Sequence, residues 1–206
     1  MRKNTNRNKT YPKFKRLMDL SMCLVLIPLL LFPMGVLALA IKLDSKGPVL
    51  FKQKRVGKNN IHFTILKFRT MTVDTDADTP THLLKSPEDK LTKVGKVLRK
   101  LSLDELPQLF NILAGDMSFI GPRPALWNQY DLIALRDENG ASTCTPGLSG
   151  WAQVNGRDTL TLEEKARLDG EYAEKQSFLF DAKCFFLTLT SVISAKGNKE
   201  GGTGNV

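Results

Sequence analysis

Residues 20–41 read "LSMCLVLIPLLLFPMGVLALAI", 22 positions without a charged side chain. A helix of about this length matches the ~30 Å hydrocarbon core of a bilayer. No small-residue cleavage site follows it, so it does not read as a secretory signal. Pro28 and Pro33 interrupt the run, and each removes a backbone hydrogen bond and bends a helix. Both flanks are basic. Residues 1–16 carry seven Lys or Arg and no acid, and "KLDSKGPVLFKQKRVGKNN" (42–60) adds Lys42, Lys46, Lys52, Lys54, Arg55 and Lys58. Flanking Lys and Arg favour the cytoplasmic face, so both ends are drawn to the same side. A single span satisfies one end only. A helix broken at a proline, entering and leaving by one face, satisfies both and lets the basic flanks meet anionic headgroups.

The remaining sequence has the composition of a folded domain. The 206 residues are 42% hydrophobic and 25% charged, with a net charge of +9, of which the first 16 residues supply most. Charge concentrated beside an apolar segment points to a membrane surface rather than to nucleic acid, which a basic balance alone binds without specificity. Cys23, Cys144 and Cys184 are far apart, and only His62 and His82 accompany them, so zinc-ligand spacing is absent and the cysteines read as reduced thiols. The organisation expected is a basic segment (1–18), a membrane helix-break-helix (19–43), a cytosolic domain (44–195) and a flexible tail (196–206).

Within the domain, "GPVLFKQKRVG" and "IHFTILKFRTM" read as strands, the second alternating apolar and polar residues and ending in Lys67 and Arg69. Residues 73–89 read as an exposed polar loop, and "KLTKVGKVLRKLS" as a basic amphipathic helix. "LSLDELPQLFNILAGDMSFIGPRP" (101–124) then places Asp104 and Glu105 side by side. Ser102 with Glu105 fits a capping box. The alternative is chemical. Arg99 precedes the pair and Arg123 follows it, and adjacent acids among cations suit a divalent metal bridging to phosphate, or a carboxylate nucleophile. No Gly-rich nucleotide loop occurs.

The blocks "KRLMD", "KLDSKGPVLFKQKRVGKN", "LKFRTM", "LRKLSLDELPQLFNILAGDMSFIGPRP", "TPGLSGWAQVNGRD" and "YAEKQSFLFDAK" follow one another in the order of the small monotopic phosphoglycosyltransferases. The chain resembles that bacterial sugar transferase family from about Lys13 to about Ala195. The resemblance implies an α/β fold, mainly helical, with short strands, interfacial amphipathic helices and a re-entrant helix. It implies transfer of a sugar 1-phosphate from a UDP-sugar to polyprenyl phosphate, with release of UMP, at the cytoplasmic face of the inner membrane. By the same resemblance Asp104 is the nucleophile, Glu105 assists, and both serve a Mg²⁺ ion. Lys67, Arg69, Arg99, Arg123, Gln153, Arg157 and Asp181 are the expected substrate-binding residues. Membrane lipid and downstream glycosyltransferases are the expected partners, and an N-acetylated sugar is the expected donor. Family members often break the helix at Ser-Pro. Here Phe32-Pro33 is the matching break and Pro28 its rival. A non-catalytic basic membrane adaptor is the alternative.

Overall fold

The computed structural model describes residues 10–75, 88–156 and 159–193; the outer part of the basic segment, most of the 73–89 loop, Arg157 and the tail lie outside them. The fold is mainly helical with short strands. Helix α1 (Tyr11–Asp44) leads into an antiparallel hairpin of β1 (Leu50–Val56) and β2 (His62–Phe68). Then come α2 (Lys93–Lys100), a 3-10 turn at Leu103–Glu105, and α3 (Gln108–Ala114). Strand β3 (Ser118–Ile120) pairs in parallel with β4 (Gly147–Ser149), with α4 (Tyr130–Asn139) between them in sequence. Helices α5 (Trp151–Val154), α6 (Leu162–Lys175) and α7 (Phe178–Ile193) complete the fold.

Helix α1 is one helix through both prolines, not the expected helix-break-helix. The reason lies in its faces. Tyr11, Lys15, Asp19, Cys23, Met34 and Ile41 are buried and recur at helical spacing, with Leu26, Ile27, Leu30, Leu37 and Ala38 packed between them. Cys23 joins Ile65, Leu109, Ile112 and Met117, while Met34 and Ile41 join Phe68 and Leu98. One stripe therefore lies on the domain along its whole length. Pro28 and Pro33 sit on the opposite, exposed face, where the lost hydrogen bonds disturb no packing.

That opposite face is apolar. Leu24, Val25, Leu29, Leu31, Val36 and Leu39 are exposed on it, and Phe32 is 80% exposed. A contiguous apolar band of this size marks a surface that water does not cover, and lipid is the medium it fits. Helix α7 continues the band with Phe178, Leu179 and Phe186, and Phe178 meets Phe14 of α1 edge-on at 6.3 Å between ring centroids. The helix is long and apolar enough to cross a membrane by length and composition.

Polar clamps fasten both ends of α1. At the start, Lys15 pairs with Asp181 of α7, Tyr11 donates to the same carboxylate (2.6 Å), and Tyr172 of α6 donates to its other oxygen (2.7 Å). Arg16 donates to the carbonyls of Ile112 and Leu113 at the end of α3. At the far end, Arg69 donates to the carbonyls of Lys46 (2.8 Å) and Ser45 (2.7 Å) and to Ser45 Oγ (2.9 Å). The turn that offers these carbonyls requires Gly47. Its φ is +126°, and a Cβ there would lie 2.0 Å from Arg69 Nη1.

Candidate active site

Asp104 and Glu105 lie in the 3-10 turn between α2 and α3. The capping-box expectation is not met. Ser102 is left-handed (φ +55°), whereas an N-cap has extended backbone, and its side chain makes no capping bond. The Glu105 carboxylate turns instead to two cations. Lys67 Nζ donates to Glu105 Oε1 at 2.7 Å, and Arg123 Nη2 donates to the same oxygen at 2.9 Å. Lys67 Nζ also lies 3.9 Å from Asp104 Oδ2.

Each cation reaches the pair from a different element. Lys67 comes from β2, and Asn111 of α3 fixes that strand. Asn111 Oδ1 accepts from Leu66 N (2.9 Å) and its Nδ2 donates to Thr64 O (2.8 Å), so the side-chain amide takes the place of a neighbouring strand. Replacing Asn111 by Ala leaves both strand groups unsatisfied. We expect a loss of about 2–3 kcal/mol, read as a lower thermal unfolding midpoint of the protein in nanodiscs. A midpoint like that of the unsubstituted protein would show the amide to be dispensable.

Arg99 comes from α2, where Nε donates to Thr70 Oγ1 at 2.9 Å and the charge favours ionised Asp104. Gly95 permits this approach, since a Cβ there would lie 2.0 Å from Thr70 O. Arg123 comes from the loop after β3.

Burial pushes the Asp104 carboxyl above its ordinary range; Lys67 offsets this in part, and the charge on Glu105 adds to it. Glu105 is buried too, but Arg123 and Lys67 outweigh that burial and hold it ionised well below the usual carboxylate range. Burial draws the Lys67 ammonium down, against the pull of Glu105. The two neighbours are thus different chemically. Glu105 is an ion held by two partners, while Asp104 keeps a less compensated carboxylate.

The structure therefore gathers Asp104, Glu105, Lys67, Arg99 and Arg123. Gln153 lies on α5, its Oε1 beside Gly150, which abuts Gly121 two residues before Arg123. Neither atom of its buried amide has a hydrogen-bond partner. Gln108 Nε2, four residues past Asp104, is likewise buried and unbonded. Two expected residues lie elsewhere. Arg69 is spent on the end of α1, because both its Nη atoms donate to oxygens after that helix. Asp181 is spent on Lys15, Tyr11 and Tyr172 in a buried network. Arg157 lies outside the described residues.

One residue of the site was read from sequence only as part of a basic flank. Arg55 on β1 donates to Pro124 O at 3.0 Å and to Gln53 Oε1 at 2.9 Å, beside Arg123. Burial, with Arg123 adding to it, lowers its pKa to about 9. The signal was its position in "KQKRVG", but only the pairing of Val56 N with Ala125 O (2.9 Å) brings β1 beside the 122–124 turn.

A model of the family described as "Bacterial sugar transferase" matches residues 10–195. An uncharacterized sugar transferase, EpsL, of Bacillus subtilis (strain 168) is 42% identical over 189 residues, covering 89% of each chain. An undecaprenyl-phosphate glucose phosphotransferase of Komagataeibacter xylinus is 39% identical, covering 88% of this chain and 36% of the relative. A UDP-N-acetylgalactosamine-undecaprenyl-phosphate N-acetylgalactosaminephosphotransferase of Aeromonas hydrophila is 38% identical, covering 91% of this chain and 45% of the relative. The chain thus spans less than half the length of the last two.

Proposed function

The chain belongs to the bacterial sugar transferase family, and from that premise we propose that it moves a sugar 1-phosphate from a UDP-sugar to polyprenyl phosphate. The observation that carries this reading is the buried Asp104–Glu105 pair ringed by Lys67, Arg99 and Arg123. Attack on a diphosphate needs an oxygen nucleophile inside a cluster of positive charge. Asp104 fits the first need, being the less compensated carboxylate. The three cations fit the second, with Arg suited to phosphate oxygens by its planar fork.

The steps balance as two displacements. An Asp104 oxygen attacks the β-phosphorus of the UDP-sugar, the bond between the phosphates breaks, and UMP leaves with that electron pair. The polyprenyl phosphate oxygen then attacks the same phosphorus and the acyl-phosphate bond breaks, returning the Asp104 carboxylate. Lys67 and Arg123 hold Glu105 ionised and face the negative charge that develops on the diphosphate. The unbonded Gln153 amide is suited to the polar edge of the uracil.

A Mg²⁺ ion fits the donor set. Carboxylate oxygens are hard ligands, and Mg²⁺ commonly takes one or two of them together with substrate phosphates. Lys67 and Arg123 both bond Glu105 at Oε1, so its Oε2 takes no part in those contacts. Asp104 and Glu105, adjacent in one 3-10 turn, would be the ion's protein ligands. When bound, the ion neutralises phosphate charge.

Topology belongs to the same proposal. Both ends of α1 are clamped to one domain while its outer face is apolar, which supports a helix held against the cytoplasmic face of the inner membrane with both ends on that side and its outer face in lipid. An N-acetylated sugar is the first donor to test, alongside UDP-glucose and UDP-galactose. The experiment is intact-protein mass after incubation with Mg²⁺ and each UDP-sugar, without polyprenyl phosphate. A gain of one sugar-phosphate, with UMP released, is expected for the right donor. A membrane adaptor would give no adduct and no UMP with any donor, even after polyprenyl phosphate is added.

A further inference from the structure

Arg55 has no use in the mechanism above, yet the fold holds it beside Arg123 in a part-buried position. Its Nε and Nη2 donate to Gln53 Oε1, and Nη1 donates to Pro124 O. These acceptors are neutral. Among the described residues no carboxylate forms an ion pair with it, and the charges that act on it are Arg123, which opposes its ionisation, and Glu105, which favours it. A desolvated guanidinium beside a second one, without a counter-ion of its own, is unfavourable to maintain. The lowering of its pKa to about 9 reflects that cost.

The geometry leaves capacity to spare. A guanidinium has five N–H donors, and these bonds use one on each of its three nitrogens, leaving one on each Nη for a further acceptor. The charges point the same way: Arg55 adds a cation beside Arg123, which already pairs with Glu105, so the two guanidiniums share one carboxylate and favour a further anion such as a diphosphate. We infer that Arg55 is a phosphate-binding residue of the donor site, contacting the diphosphate of the UDP-sugar together with Arg123. This rests on the donor reading above.

The test compares Arg55→Gln with Arg55→Lys in nanodiscs, measuring dissociation constants for UDP and for uridine with Mg²⁺ present. Gln keeps a donor for the Pro124 carbonyl but no charge; Lys keeps the charge but not the fork. The Gln variant should bind UDP about tenfold to a hundredfold more weakly, the Lys variant should recover part of that loss, and uridine binding should be unchanged in both. Two outcomes overturn the inference while leaving the donor reading intact: UDP binding by the Gln variant equal to the unsubstituted protein, or equal losses for Gln and Lys that extend to uridine, as a purely structural hydrogen bond would give. An unsubstituted protein that binds no UDP overturns both readings.

Discussion

Asp104→Asn should abolish the sugar-phosphate adduct and lower UMP release on the order of 10⁴-fold or more. The substitution is nearly isosteric, so the pocket keeps its shape, but a neutral amide has no oxygen basic enough to displace UMP from phosphorus. The protein should still fold. Burial already pushes the Asp104 carboxyl up, so its charge costs stability rather than adding to it, and removing that charge relieves the pocket. Glu105→Gln is the informative contrast. Glu105 is the counter-ion of both Lys67 and Arg123. Its loss should lower the unfolding midpoint as well as the rate. Intact mass and UMP assays on both variants check this. An adduct that persists on the Asp104 variant, mapped by peptide analysis to another residue, would remove Asp104 from the nucleophile's role.

The second large effect is on stability. Arg69→Met should destabilise the protein by about 3 kcal/mol or more. Arg69 is 4% exposed and donates to carbonyls that close the end of α1. Met fills some of the volume but bonds none of those oxygens, which are left without a partner in a place water does not readily reach. Donor affinity of the fraction that remains folded should be unchanged, because the side chain points away from Glu105. Thermal unfolding in nanodiscs and UDP binding measured together decide it. A normal midpoint with weakened UDP binding would restore Arg69 to the substrate site.

Arg69 also shows where sequence reasoning stops. Lys67 and Arg69 are two apart in "LKFRTM", and strand alternation puts such residues on one face. The strand ends at Phe68, however, so Lys67 obeys the alternation and reaches Glu105 while Arg69 turns toward α1. The hairpin, the basic α2 helix and the acid pair were legible because their signals are local. Asp181 was not, since its partner Lys15 is 166 residues away. Ser102 misled because the capping pattern is met in sequence while its backbone is left-handed. The two prolines misled because sequence does not say that both face away from the domain.

The clamps on α1 also set an order of events in time. Arg69 follows the end of the helix by 24 residues, counted from Ser45, so that end can fasten almost as soon as it is made. Asp181 comes 166 residues after Lys15. At about 5–20 residues per second this is a wait of roughly 8–33 s, for most of which the apolar helix is already complete while Lys15 lacks its buried partner. A lipid surface gives that helix somewhere to rest before α7 exists. On this account the chain meets the membrane before it meets most of its own fold, and the domain assembles around a helix already in place.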